Sequence, residues 1–503
     1  MKPHLTPILL AILLASASLR CAKDSHTGSK TILLPVADDP TISLRVWFRV
    51  GSQNDPPGME GLSALTVAML SDASTEKNGY EEILNKLYPL ASSYDARNTV
   101  EMSVLYGRVH KDKLEAYYQL FTDAILHPAF KQEDLDRIKS YTKNYLENTL
   151  RYASDEELGK AVLYDDVFHG TPYGHHLLGS IESLNRITMQ DIKDFYKKYY
   201  TRDNVVIALG GGYPADLVDR LKKDMEMLPA GAPPQVAAPQ PQPIDGITVT
   251  IVEKNAASTA ISMGVPIDLL RNNDDWYALA IAASWLGEHR SPSSHLYQVI
   301  RESRGLNYGD YAYIENYPEG GRREVPPENV GRRKQLFEIW IRPVPNAARQ
   351  FAARAALREW KNLIDNGMTQ ENFNLTRQYL KKYILHYAPT TMQRLGYAMD
   401  DAFYGVAGSH LEKFRDAMDK VTLDQVNAAI RKYWKYGTMH IVFVTNEAQQ
   451  LKDALVSDAP SPITYQTPKP DTILQEDKEI ASFPLKIKAE NVKIVQVNEL
   501  FEK

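Results

Sequence analysis

Ile187 to Leu209 aligns with Val421 to Phe443 at a constant offset of 234, pairing Thr188 with Thr422, Lys198 with Lys432, Tyr199 with Tyr433 and Ile207 with Ile441. Upstream, FKQEDLDRIKSYTKNYL from Phe130 matches MTQENFNLTRQYLKKYI from Met368 at an offset of 238. Two registers so close together mark a tandem duplication, and whatever the first copy folds into, the second must fold into again. The length of 503 residues would by itself suggest about three or four domains; the repeat organises the chain as two similar halves.

The pattern within the first copy gives the fold class. In TISLRVWFRV, Thr41 to Val50, Ile42, Leu44, Val46 and Phe48 alternate as in a strand. GLSALTVAMLSDAS, from Gly61, is apolar nearly all round and reads as a buried helix. SSYDARNTVEMSVLYGRV then predicts a strand pair and KLEAYYQLFTDAIL a helix ending before Pro128. Lys131 to Leu150 and Asp155 to Phe168 read as further helices. ITMQDIKDFYKKYYTRDNVVIALGG predicts a helix, a short turn and a closing strand. Strands, helix, strands, helices and a final strand make an α+β unit with helices against one face of its sheet. The GGG after the closing strand is not followed by the Gly-Lys-Ser/Thr of a phosphate loop.

PAGAPPQVAAPQPQPID, residues 229–245, has no apolar period and reads as a semi-rigid linker. It separates an N-terminal domain, 31–228, from a C-terminal one, 246–455, and invites the two to face each other across a cavity. Residues 456–503 are mostly polar and are expected to form an extended tail, in which KIVQV could add as an edge strand.

At the N-terminus, Lys2 precedes the apolar run LTPILLAILLASAS, too short for a comfortable membrane span and about the length of a signal-peptide core. Residues 1–22 are therefore expected to direct export to the periplasm. Ala15 and Ala17 would specify cleavage before Ser18; the alternative is lipidation of Cys21, where Arg20 is a poor match for the preceding position. Cys21 is the only cysteine, so no intramolecular disulfide can form. The net charge of -5 gives no electrostatic footprint for nucleic acid.

Chemistry concentrates in SPSSHLYQVIRESRGLNYGDYAY, residues 291–313. Leu296, Val299 and Ile300 give a short helix one apolar face, and Gly305 can take the left-handed turn that ends it. Aromatics at Tyr308, Tyr311 and Tyr313 follow with strand-like spacing. Arg301 and Tyr308 stand seven residues apart across this corner. Together they could hold a peptide carbonyl or stabilise the oxyanion formed on attack. The plainer reading is an arginine bordering a helix and a tyrosine packed in a sheet.

The GSxND-PPG-GL helix after the first strand, VFHGTPYGHHLLGS, the Pro-rich linker and LYQVIRESRGLNY, in this order over about Thr31 to Thr445, resemble the peptidase M16 family, the insulinase or pitrilysin-like zinc peptidases. The likeness is to members with two duplicated domains per chain, which pair into a clam-shaped dimer. The family's inverted zinc motif, H-x-x-E-H, falls on ALTVA. Ala64 and Ala68 stand in place of the histidines and Val67 in place of the glutamate, so this helix can neither coordinate zinc nor activate water. The third ligand position could fall on Glu147, Asn144 or Tyr145. A relocated site at His169, His175 and His176 lacks the spacing of a helical ligand pair.

The resemblance implies a division of labour: a zinc-less subunit without a cofactor of its own, and a partner M16 homologue that carries the zinc. Arg301 and Tyr308 match the pair that zinc-less subunits contribute, which implies that they bind the peptide substrate and stabilise the oxyanion in trans within a heterodimer. The alternative is a peptide-binding or scaffolding protein with no part in catalysis. The insert ENYPEGGRREVPPENVGRRKQ, with five basic residues from Arg322 to Lys334, reads as a solvated loop that could overhang the cavity and favour acidic peptides.

Overall fold

Repetition at an offset of 234 reappears as geometry: helices Met189–Tyr199 and Leu423–Tyr433, and strands Val205–Gly211 and Met439–Thr445, start and stop in register. Both helices start the same way. Thr188 Oγ accepts from the amide of Asp191 and Thr422 Oγ from that of Gln425, each within a reciprocal capping box that satisfies amides no helical carbonyl can reach. The computed structural model describes residues 30–287, 292–318 and 325–503. The expected export segment with Ala15, Ala17 and Cys21 lies outside these residues, as do Arg322 and Arg323 of the insert. Among the described residues no helix is long and apolar enough to cross a membrane.

The first half builds a five-stranded sheet from Lys30–Pro35 (β1), Thr41–Phe48 (β2), Ser93–Asn98 (β3), Ser103–His110 (β4) and Val205–Gly211 (β5), in the order β1-β5-β2-β4-β3. The second half builds a six-stranded sheet from Ile247–Glu253 (β6), Ser258–Ile267 (β7), Asp310–Tyr313 (β8), Gln335–Pro345 (β9), Met439–Thr445 (β10) and Val492–Gln496 (β11), in the order β11-β6-β10-β7-β9-β8. Pairing is antiparallel except at β1–β5 and where β6 lies between β10 and β11. The α+β architecture of two similar units is thus as expected, with both sheets mixed.

Each half's own helices cover one face of its sheet, and the other face takes a helix from the other half. Helix Asp155–Val167 crosses to lie on β7 and β10, while helix Thr391–Tyr404 lies on β5, β1 and β2. Leu395 and Met399 of the latter pack on Trp47, Met102, Val104, Val206 and Ala208. This exchange explains why β2 is buried on both faces: Ser43, Arg45 and Trp47, which a simple alternation would leave to solvent, are as buried as Ile42 and Leu44. Arg45 reaches Glu328 at 2.7 Å, the carbonyl of Met392 at 3.0 Å and Asn329, all in the second half. A buried guanidinium is tolerable only with such partners.

Two expectations are corrected. The tail is not simply extended: Asp471–Ala481 is a helix. Its apolar stripe is interrupted by Asp477, which is buried because it accepts from Arg304 Nε at 2.8 Å, so the periodicity is hidden by an ion pair. KIVQV does supply the edge strand β11, and the chain end then returns to the first half, where the amides of Ile181 and Glu182 donate to the carbonyls of Phe501 and Glu502 at 2.8 and 2.9 Å. Nor is the end of the insert, Arg332 to Lys334, simply a solvated loop. Arg332 and Lys334 are buried, Arg333 is paired with Glu101 at 2.5 Å, and Lys334 with Asp268, because the first half and the β7 end present carboxylates where this segment lands.

Candidate functional site

Helix Leu62–Ser71 is set by the loop before it. Asp55 accepts from the amides of Gly61 at 2.8 Å and Ser63 at 2.7 Å, which satisfies the helix start from outside the helix. Burial pushes its carboxyl up to about 8 even so. Gly61 sits at φ +93, where a Cβ would come within 2.5 Å of the Leu178 carbonyl. The helix is thereby pressed against the loop that holds His175 and His176. Sequence reasoning quoted Asp55 in the GSxND stretch without giving it this duty.

Ala64 of this helix lines a cavity of about 390 Å³ between the halves, together with Tyr145, Tyr164, His176 and, from the second half, Arg332 and Trp340. Ala64 and Val67 are buried and Ala68 is partly so. Of the three candidates for a third ligand, Tyr145 is the one beside Ala64 in the cavity wall. An alanine pair, a valine and a phenol do not fit zinc, which takes imidazole, thiolate and carboxylate donors.

The histidines have other partners. His175 Nδ1 and Nε2 lie 3.1 and 3.0 Å from the carbonyl oxygens of His176 and Ser52. His176 Nδ1 accepts from the amide of Leu178, and its ring packs on Phe501 at 5.1 Å. Burial first, then neighbouring His175, lowers the His176 imidazole to about 4. His169 is exposed. Among the described residues no three His, Cys, Asp or Glu side chains gather as they would around a metal.

Arg301 and Tyr308 do come together. The short helix Tyr297–Glu302 buries Leu296, Val299 and Ile300 and ends through Gly305 at φ +68. β8 begins only at Asp310, so Tyr308 stands on the connecting turn instead of within the strand. The Arg301 guanidinium lies 5.6 Å from the centre of the Tyr308 ring, and Tyr308 is 76% exposed. Neither side chain lines the cavity that contains Ala64. The structural arginine at this corner is Arg304, three residues on. It is buried and donates to Asp477, Glu476 and the carbonyl of Val299, each at 2.8 Å.

Strand edges flank both features. β3 and β8 are the outer strands of their sheets, and the last residues of β3, Arg97 and Asn98, reach the cavity wall. An unpaired edge offers backbone donors and acceptors to an extended peptide. Behind Tyr164 of the cavity wall, burial holds the Glu338 carboxyl up at about 7 despite the hydrogen bond from Tyr164. Asp165 is held well above the carboxylate range by burial and by Asp166 beside it.

Residues 31–180 match the family described as "Insulinase (Peptidase family M16)", and residues 186–380 match "Peptidase M16 inactive domain". "Uncharacterized zinc protease YmxG" of Bacillus subtilis is 22% identical over 300 residues, 59% of this chain and 71% of its own length. "Non-peptidase homolog YmxG" of Helicobacter pylori is 21% identical over 468 residues, 89% of this chain and 99% of its own. Among solved structures, the peptidase M16 inactive domain from Pseudomonas fluorescens has a TM-score of 0.73 at 23% identity and covers 84% of this chain and 96% of its own. A protease from Helicobacter pylori has a TM-score of 0.69 at 16% identity, with 83% and 97% covered. Two family matches in the order of the two halves, carried by the same duplicated fold, establish that this chain belongs to the M16 family of insulinase-like peptidases and their homologues.

Proposed function

We propose that this chain is the zinc-less, non-catalytic subunit of an exported M16 peptidase, and that it binds peptide and lends Arg301 and Tyr308 to the active site of a zinc-bearing partner. The observation that carries this reading is the pairing of a guanidinium and a phenol on an exposed corner just before the outer strand β8, while Arg304 makes the buried ion pairs there. Both side chains are donors, and the guanidinium carbon lies 5.6 Å from the centre of the phenol ring. A peptide passing this exposed corner would present its carbonyls to them. Arg301 would orient a carbonyl through its planar fork, and the Tyr308 hydroxyl would donate to the oxygen as negative charge develops. Ala64, Val67 and Ala68 leave this chain's own helix without a ligand or a base, so attack on the amide belongs to the partner.

The test combines this chain with an exported M16 homologue that has an intact H-x-x-E-H. Arg301→Ala or Tyr308→Phe should lower kcat by about a hundredfold, as loss of an oxyanion donor does, with assembly unchanged. The isolated chain should bind no stoichiometric zinc and cleave no peptide. Unchanged turnover in both variants would leave a peptide-binding or scaffolding role as the better reading.

A further inference from the structure

Arg332 is 7% exposed and has no ion pair among the described residues; its Nε and Nη1 are buried without a hydrogen-bond partner. The guanidinium stacks over Tyr164 at 4.1 Å and lies 5.9 Å from the Tyr173 ring, yet two rings do not replace the anion that a buried cation needs. Most charges around it are engaged, and Glu338, the acid whose field acts on Arg332, is pushed up to about 7 by burial. Arg333 and Lys334 hold Glu101 and Asp268, Lys160 holds Glu157 at 2.8 Å over the Trp340 ring, and Glu338 accepts from Tyr164. Arg332 lines the cavity with its Nε and Nη1 unpartnered.

We propose that this cavity binds a peptide through a carboxylate, which Arg332 receives. The proposal rests on the reading of the chain as a peptide-binding subunit and names the chemical class of its ligand. A carboxylate matches the planar fork of arginine with two parallel hydrogen bonds. The rest of the ligand is set by the walls: Leu150, Ala161 and Leu177 are apolar, and Arg97 to Val100 bring the end of the open β3 edge to the cavity, where an extended backbone can pair. At about 390 Å³ the space is within the usual range for ligand pockets, roughly 300–1,000 Å³. Of the two carboxyls that line it, Asp165 is held well above the carboxylate range by burial and Glu157 is paired with Lys160 at 2.8 Å, so neither stands as a free charge against an incoming anion.

The experiment uses the exported chain without a partner and measures fluorescence anisotropy of N-terminally labelled hexaalanine in three forms: the free acid, the C-terminal amide, and an amide with a glutamate at the penultimate position. The free acid should bind at least about tenfold more tightly than the plain amide, as expected for a charge-assisted pair. Recovery of affinity by the glutamate form assigns the contact to a side-chain carboxylate, and no recovery assigns it to the chain terminus. Arg332→Met should abolish the preference and Arg332→Lys should keep part of it, with denaturant unfolding confirming that each variant is folded. Equal affinity for all three peptides, no binding of any up to millimolar concentration, or an undiminished preference in folded Arg332→Met would overturn the proposal. Should Arg332→Met not fold, the three-peptide comparison on the wild-type chain still decides. None of these measurements involves Arg301, Tyr308 or turnover, so this proposal and the subunit reading can fail separately.

Discussion

Three arginines near the cavity and the β8 corner have the same side chain and three different duties. Arg304 is buried between Asp477 and Glu476, Arg301 is half-buried beside Tyr308, and Arg332 is buried without an ion pair among the described residues. Arg304→Met should cost about 3–5 kcal/mol in urea unfolding, because it strands the buried Asp477. Arg301→Ala should stay within about 0.5 kcal/mol of wild type, as substitutions away from packed or paired groups do. A large stability loss in Arg301→Ala would return that residue to the plainer structural role. Residue type and spacing made Arg301 and Tyr308 legible as a pair. They could not show that Arg304 carries the ion pairs, because its partners lie more than 170 residues away in sequence.

At the scale of elements, the tail acts as a latch between the halves. After β11 joins the second sheet, Arg151 Nε donates to the Leu500 carbonyl at 2.9 Å, and the last residues pair with the start of helix Ile181–Arg186. Truncation after Gln496 should leave both sheets formed but remove these bonds, at about 1 kcal/mol each. Hydrogen exchange should then quicken in 145–153 and 181–186, next to the cavity wall; unchanged exchange there would show the latch to be idle. Period and composition made the first helix, β2 and the β3–β4 pair readable. They missed Asp471–Ala481, whose inner face carries an acid for Arg304, and they placed Tyr308 in a strand that starts two residues later.

At the scale of the whole molecule, the duplication was plain in the sequence, but the exchange of helices between the copies was not. Alternation in β2 reports only that one face is apolar; Trp47 and Arg45 on the other face look like solvent residues until helix Thr391–Tyr404 covers them. It follows that a cut within 229–245, where no helix or strand forms, should leave the two fragments bound. They should co-elute on size exclusion, whereas each half expressed alone should aggregate through its uncovered sheet face. Fragments that separate and stay monomeric would refute this account of the core.

The crossed helices also bear on ancestry. A single ancestral copy with the same sheet would have had a bare apolar underside, and a second identical molecule closes it by trading the same segment back. Gene fusion then turns a bargain between twins into a bond within one chain, after which neither copy is free to drift without its sibling.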